Sequence, residues 1–387
     1  MRELAAYLFL VSLLSMAVAT PLAIRLGRRW GVLDHPGDRK IHSEPIPLTG
    51  GWAIFLTLSV VLWGHLLAAW AVRGSSLERL LPERMDYYVS LAPLLIRKVA
   101  PLYLGAVGIF ILGLVDDIKG MSVKSRLAIQ TGMAAILAVF GLHPSLGFLP
   151  QWVAALVGIV WVVGITNSFN FLDGLDGLST GVGLVGTVAL LTIMGISDQP
   201  DVVFFLAALA GTQMGFLRYN YHPARIFLGS SGSLLLGYLL ATSTILVTFM
   251  KGTADSWLMP LLTPLFILAI PLYDTVSVVL IRLTLKRSIA IGDQNHFHHR
   301  LLKLGFSHRQ TVAYIILIAF AVALSAVRLV HANLFQGCLI LLQIVVTLSL
   351  IVIAERVALR IRTDFHRRKT DPKPLELTEA EMEDRKV

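Results

Sequence analysis

The stretch Asn167-Ser168-Phe169-Asn170-Phe171-Leu172-Asp173-Gly174-Leu175-Asp176-Gly177-Leu178-Ser179-Thr180 holds two Asn, two Asp and two Gly, and apolar runs long enough to cross a bilayer flank it on both sides. A carboxylate at the bilayer centre costs roughly 2.5–3.5 kcal/mol on insertion scales, so two of them three residues apart in so apolar a chain need a reason. Gly174 and Gly177 each cost about 1 kcal/mol against Ala in a helix, and glycine serves where the backbone turns sharply or approaches a ligand closely. On a helix, Asp173 and Asp176 would share one face. The stretch reads as a polar site at a membrane surface that handles a metal or a phosphate. The plainer alternative is a solvated loop between two spans, with the Asp residues capping helices.

Composition places that stretch in a membrane protein. The chain has 387 residues, 56% of them hydrophobic and 15% charged, with a mean hydropathy of +0.73; soluble proteins carry about 25% charged residues. An all-α polytopic fold follows. At about 20 apolar residues per span, eleven transmembrane helices are expected, at about 4–24, 52–72, 99–115, 127–142, 152–166, 181–196, 202–217, 233–250, 258–281, 311–329 and 335–354. The first run resembles a signal peptide, but its basic cluster follows the apolar run instead of preceding it, so it reads as an uncleaved span. Segment 73–98 is mixed in polarity and receives no assignment. One transmembrane domain covers 1–355, and a charged tail, 356–387, is expected to be disordered beyond about residue 370. The single cysteine, Cys338, excludes a disulfide or a Cys-based zinc site within the chain.

Eleven spans put the termini on opposite sides. Of the 33 Lys and Arg, 25 fall on the side of the C-terminus, so the positive-inside rule makes that side cytoplasmic and leaves the N-terminus outside. Every motif-like stretch then lies on the cytoplasmic face. An alternating-access transporter is expected to hold its site near the midplane, so the arrangement reads as a membrane-embedded enzyme with a cytoplasmic site.

The chemistry on that face is acidic, basic and histidine-rich. Asp116-Asp117 ends an apolar helix, where adjacent carboxylates are disfavoured by each other and by the negative end of the helix dipole; a cation would offset this, and magnesium prefers one or two carboxylates plus substrate phosphates. Lys124 and Arg126 follow within two turns and could hold phosphate oxygens. The loop Asp34 to Gly51 is too rich in Pro and Gly for a long helix; Arg39, Lys40 and His42 in it are candidate phosphate contacts, whereas Arg25, Arg28 and Arg29 read as ordinary positive-inside charge. In Asp293-Gln294-Asn295-His296-Phe297-His298-His299-Arg300 three histidines fall within four residues, but helical zinc pairs are spaced i, i+4, and hydrogen bonding to a diphosphate fits better. Asp274, inside a span, is a functional candidate by its position.

Taken together, Asp-His-Pro-Gly-Asp-Arg-Lys-Ile-His from Asp34 with Pro-Leu-Thr-Gly-Gly, then Gly-Leu-Val-Asp-Asp, Asn-Phe-Leu-Asp-Gly-Leu-Asp-Gly, Phe-Leu-Gly-Ser-Ser-Gly-Ser and His-Phe-His-His-Arg-Leu-Leu resemble, in order, the motifs of the polyprenyl-phosphate N-acetylhexosamine-1-phosphate transferases (glycosyltransferase 4 family). The resemblance covers nearly the whole chain apart from the tail. It implies transfer of N-acetylglucosamine-1-phosphate, or a close relative, from a UDP-sugar to undecaprenyl phosphate, with release of UMP, at a bacterial inner membrane. It implies Mg2+, with Mn2+ as an alternative ion, membrane lipids and a homodimer as partners, and no nucleic acid. The His-x-His-His pattern resembles the branch that starts O-antigen, enterobacterial common antigen and teichoic acid chains; the phospho-N-acetylmuramoyl-pentapeptide transferases, the runner-up, usually show three consecutive His. A lipid or small-molecule transporter is the alternative of another class.

By the same resemblance, Asp116 is a candidate base for the lipid phosphate, with Asp117 beside it; Asn170 and Asp173 would sit at the metal and diphosphate; Asp176 would read the uracil edge, and Phe227 would stack on the base. Lys124 and Arg126 would balance phosphate charge, and His296, His298 and His299 would contact the diphosphate. Ser230 stands where the family carries an Asp that binds magnesium. Three readings of it are open: an engineered replacement, a natural variant that uses Asp173 or Asp117 instead, or an inactive member. With Ser230, activity is expected to be impaired.

Overall fold

The computed structural model describes residues 1–36, 44–81, 83–146, 149–248, 258–286 and 295–370. Among these, apolar runs become helices wherever Pro, Gly or a polar cluster does not interrupt them: α1 (Arg2–Trp30), α2 (Gly50–Val72), α3 (Glu83–Lys119), α4 (Val123–Val139), α5 (Gln151–Leu172), α6 (Leu178–Ile196), α7 (Pro200–Asn220), α8 (Gly229–Val247), α9 (Leu258–Ile267), α10 (Ala269–Thr284), α11 (Phe297–Lys303), α12 (His308–Leu329) and α13 (Leu334–Thr370). Nine of them are long and apolar enough to cross a membrane. A tenth span is the pair α9 and α10, bent by 72° beside Pro271, which has no N–H to continue the ladder. The expected fourth span is α4, which at 17 residues sits at the lower limit of what crosses a bilayer, about 17 residues. The chain is an all-α, multi-pass membrane protein.

Two boundaries differ from expectation. The unassigned segment 73–98 forms a 3-10 turn, Glu78–Leu80, and then the first turns of α3, which is 37 residues long and keeps Pro93 and Pro101 inside it. The tail begins as helix, because α13 runs on to Thr370; the disorder expected beyond about 370 lies outside the described residues, as do Lys40 and His42.

Burial ranks the helices. The apolar window of α8 is 89% buried and that of α13 is 11% buried, so α8 is the axis of the fold and α13 a peripheral helix with Leu339, Leu342, Val346 and Leu350 exposed. Helices α2, α3, α5 and α6 surround α8, and α7 joins α1 to this core. Between α1 and α2, strands β1 (Leu33–Asp34) and β2 (Ile46–Pro47) form a two-residue antiparallel ladder, Leu33 opposite Pro47 and Asp34 opposite Ile46. The ladder feeds backbone bonds to the segment before α8: Phe227 N–H donates to Pro47 O (2.8 Å), and Gly50 and Gly51 N–H donate to Phe227 O and Leu228 O (2.9 Å each). A Cβ on Gly51 would collide with the backbone of Ser231 and Gly232, so the Gly-Gly pair lets the start of α2 lie directly on the start of α8.

Candidate active site

The opening stretch is not one helix face. Helix α5 ends at Leu172, α6 begins at Leu178, and Asp173 to Gly177 make the turn between them. Gly177, at φ 77°, caps the start of α6 in the left-handed region, where side chains other than glycine are strained, and a Cβ on Gly174 would collide with the His298 ring; both glycines serve the turn. Asp173 and Asp176 therefore point from a tight turn and not from successive positions of a helix. Both line a cavity of about 990 Å³, together with Asp116, Asp117, Asn170, Phe227, Ser230 and His299. That cavity gathers the ends of α1, α3, α5 and α7 and the starts of α8 and α12, the alternation that antiparallel spans require.

Protein groups engage both carboxylates at the end of α3. Asp117 accepts from Ser230 N–H (2.6 Å) and Ser231 N–H (2.9 Å), so it caps the positive end of α8. Asp116 accepts from Arg126 Nη1 (2.9 Å) and from Met121 N–H (2.9 Å). Arg126, expected to balance phosphate charge, is thus held by a protein carboxylate, and Lys124 is exposed on the first turn of α4, away from the cavity wall.

Asp173 feels the charges of both Asp117 and Asp176 and takes no hydrogen bond among the described residues. Burial, reinforced by those two carboxylates, pushes its carboxyl well above the usual range. Asn170, on the last turn of α5, donates through Nδ2 to Ser233 Oγ (2.9 Å), which leaves its amide oxygen to the cavity. Asp176 accepts from His222 Nδ1 (2.7 Å) and Ala224 N–H (3.1 Å) through one oxygen, Oδ2. Phe227 is half-buried on the cavity wall.

The histidine stretch divides. His299 faces the cavity. His296 Nδ1 donates to Asp274 Oδ2 (2.8 Å) and Phe297 N–H to Asp274 Oδ1 (2.6 Å), so the intramembrane Asp274 anchors the start of α11. His298 is buried, packed under Gly174 and against the His299 ring (4.2 Å between centroids), and neither ring nitrogen has a hydrogen-bond partner among the described residues. Burial is the main cause that pushes its imidazole down to about 3. His296 and His298 shape the wall from behind and do not form it. Arg300 is equally structural, with Nη1 on Asn295 O (2.7 Å) and Ser277 Oγ (3.1 Å).

Four basic side chains of the cavity escaped the sequence reading. Arg28, read as ordinary surface charge, lines the cavity, and so do Arg225, His222 and His308. The cationic pair lies nearly 200 residues apart in sequence, so only the packing of α1 near the α7–α8 connection brings it together.

The family model of glycosyl transferase family 4 matches residues 99–248. A probable undecaprenyl-phosphate N-acetylglucosaminyl 1-phosphate transferase of Bacillus subtilis (strain 168) is 32% identical over 352 residues, 89% of this chain and 90% of the relative. A decaprenyl-phosphate N-acetylglucosaminephosphotransferase of Mycobacterium leprae is 32% identical over 81% of each chain. An undecaprenyl-phosphate alpha-N-acetylglucosaminyl 1-phosphate transferase of Escherichia coli (strain K12) is 27% identical over 79% of this chain and 77% of the relative.

Proposed function

Because the chain belongs to glycosyl transferase family 4, we propose that it transfers N-acetylglucosamine-1-phosphate from UDP-N-acetylglucosamine to undecaprenyl phosphate and releases UMP. The observation that carries this reading is the convergence of stretches from residues 24 to 308 on one polar cavity, with carboxylates at its floor and Arg28 and Arg225 on its wall. A cavity of that kind suits a nucleoside diphosphate, whose negative oxygens the guanidinium groups complement. The lipid phosphate would enter from the bilayer side, and the product would be a lipid-linked sugar diphosphate. The same reading makes the cavity face cytoplasmic, in the inner membrane of a bacterium, and includes a homodimer.

The donor set supports Mg2+. Asp173, whose carboxyl is raised by burial and then by the neighbouring carboxylates, holds its proton until a cation makes the charged form favourable, and Asn170 and Ser230 add neutral oxygens to the same cavity. Oxygen donors with room for substrate phosphates are what magnesium prefers, and the bound ion would neutralise charge on the diphosphate. Phosphoryl transfer needs mostly positioning and charge neutralisation. Asp116 becomes a proton acceptor for the lipid phosphate once an incoming phosphate draws Arg126 away from it. Asp117 keeps the start of α8, and with it Ser230, beside Asp173. Phe227 offers a face for the base.

The test supplies purified protein with labelled UDP-N-acetylglucosamine, undecaprenyl phosphate and Mg2+. Labelled lipid and UMP in equal amounts are expected. Lipid movement without UMP would favour a transporter, and exclusive use of a muramoyl-pentapeptide donor would move the protein to the other branch.

A further inference from the structure

Asp176, His222 and His308 bring one ligand atom each to within 4.8 Å of one another. They come from the α5–α6 turn, the segment after α7 and the first turn of α12, so the trio is a product of tertiary structure alone. All three line the cavity, which leaves further coordination positions open to it. We propose that this trio is a metal site of its own, selective for a borderline divalent ion such as Zn2+ or Co2+ over Mg2+. The inference does not depend on the transferase reading, since it concerns ion binding by residues outside the oxygen-only set of Asn170, Asp173 and Ser230, although the trio shares their cavity and uses Asp176, the carboxylate expected at the uracil edge.

The donor chemistry carries the choice of ion. Two imidazoles and a carboxylate suit zinc and its neighbours, while magnesium is held by oxygen. Three protein ligands with an open position is the arrangement of accessible zinc sites. The carboxylate is already oriented from behind: Ala224 N–H donates to Asp176 Oδ2 (3.1 Å), the kind of outer contact that fixes a ligand. In the structure a proton bridges His222 Nδ1 and Asp176 Oδ2 at 2.7 Å; a metal replacing it would spread these atoms to about 3.3 Å, the separation set by tetrahedral bonds near 2.0–2.1 Å. The His222 and His308 rings stack at 4.1 Å and 21°. An ion shared by parallel rings would lie off one ring plane, so binding turns His308, which is half-exposed at the helix start and has the cavity beside it.

The experiment uses the full chain in detergent, stripped with a chelator and titrated with Co2+ in excess Mg2+. One equivalent of Co2+ with the intense visible absorption of a four- or five-coordinate ion is expected, displaced by Zn2+. His222→Gln and His308→Gln should each weaken binding at least about tenfold, and His299→Gln should leave it unchanged. X-ray absorption of the Zn2+-loaded native protein, which needs no variant, should show two imidazoles and oxygen. No Co2+ uptake against Mg2+, retention in His308→Gln, loss in His299→Gln, or a zinc spectrum without two imidazoles would each overturn the proposal.

Discussion

Ser230 concentrates the chemistry of this site at one residue. Its backbone N–H holds Asp117 Oδ1 at 2.6 Å and its side chain reaches the same cavity as Asp173. A hydroxyl is a weak neutral ligand where a carboxylate would add charge to hold a divalent ion. Replacing it, Ser230→Asp, is expected to raise turnover by at least about 100-fold, or roughly 2.7 kcal/mol of barrier at 1.36 kcal/mol per decade. The gain should appear only with Mg2+: without the ion the new carboxylate would crowd Asp117 and Asp173, and the thermal transition should drop. Equal activity in both proteins across a magnesium titration would move the metal-holding role to Asp173 or Asp117 alone. His298 makes a different prediction. Its folded value of about 3 lies below its ordinary 6.5, so as pH falls the unfolded chain takes up the proton first. The neutral, buried form is fully tolerated above about pH 6.5; stability then declines toward pH 3 and levels off below it. At about 1.36 kcal/mol per pH unit the bound is about 5 kcal/mol. Melting curves from neutral to acid pH should be flatter for His298→Gln, and unchanged acid sensitivity in that variant would assign the slope to other groups.

At the scale of elements, the start of α8 is where the site is built. It is covered by Gly50 and Gly51 from α2, it is capped by Asp117 from α3, and it is tied to α5 through Asn170 and Ser233. A methyl group on Gly51 would meet backbone atoms of Ser231 and Gly232, which cannot rotate away as a side chain end could. Gly51→Ala should therefore cost about 1–3 kcal/mol, the range for overpacking a tight core, and should lower activity as Ser230 shifts relative to Asp117. A melt and an assay on the same preparation check both; a stable, fully active variant would show that α2 and α8 have slack at this crossing. The Gly-Gly pair of the Pro-Leu-Thr-Gly-Gly motif, to which the sequence alone assigned no role of its own, packs the start of α2 on the neighbouring helix.

Across the whole molecule, the cavity defines one face. With Cys338→Ala as background, Tyr221→Cys, exposed beside the cavity, and Phe335→Cys, exposed on the first turn of α13, should be labelled from opposite sides of the membrane, Tyr221→Cys from the cytoplasm. Labelling of both from one side would break the alternation of spans. Most of the helices were legible in the sequence, because burying a backbone in lipid leaves an apolar run one hydrogen-bonded solution, and Pro, Gly and charge mark where each run ends. The carboxylates were legible too, since so costly a group in so apolar a chain stands out. What the sequence by itself determined was therefore an all-α membrane protein and the stretches where polar chemistry sits. Only the tertiary structure decided how those stretches meet: that Arg126 is bound to Asp116, that His298 packs behind the wall while His299 faces the cavity, and that Arg28, Arg225, His222 and His308 join the site. The physical reason is that a helix's period places a residue on a face, whereas which faces meet depends on close packing between helices hundreds of residues apart, through contacts such as Gly51 on α8 that no local pattern encodes.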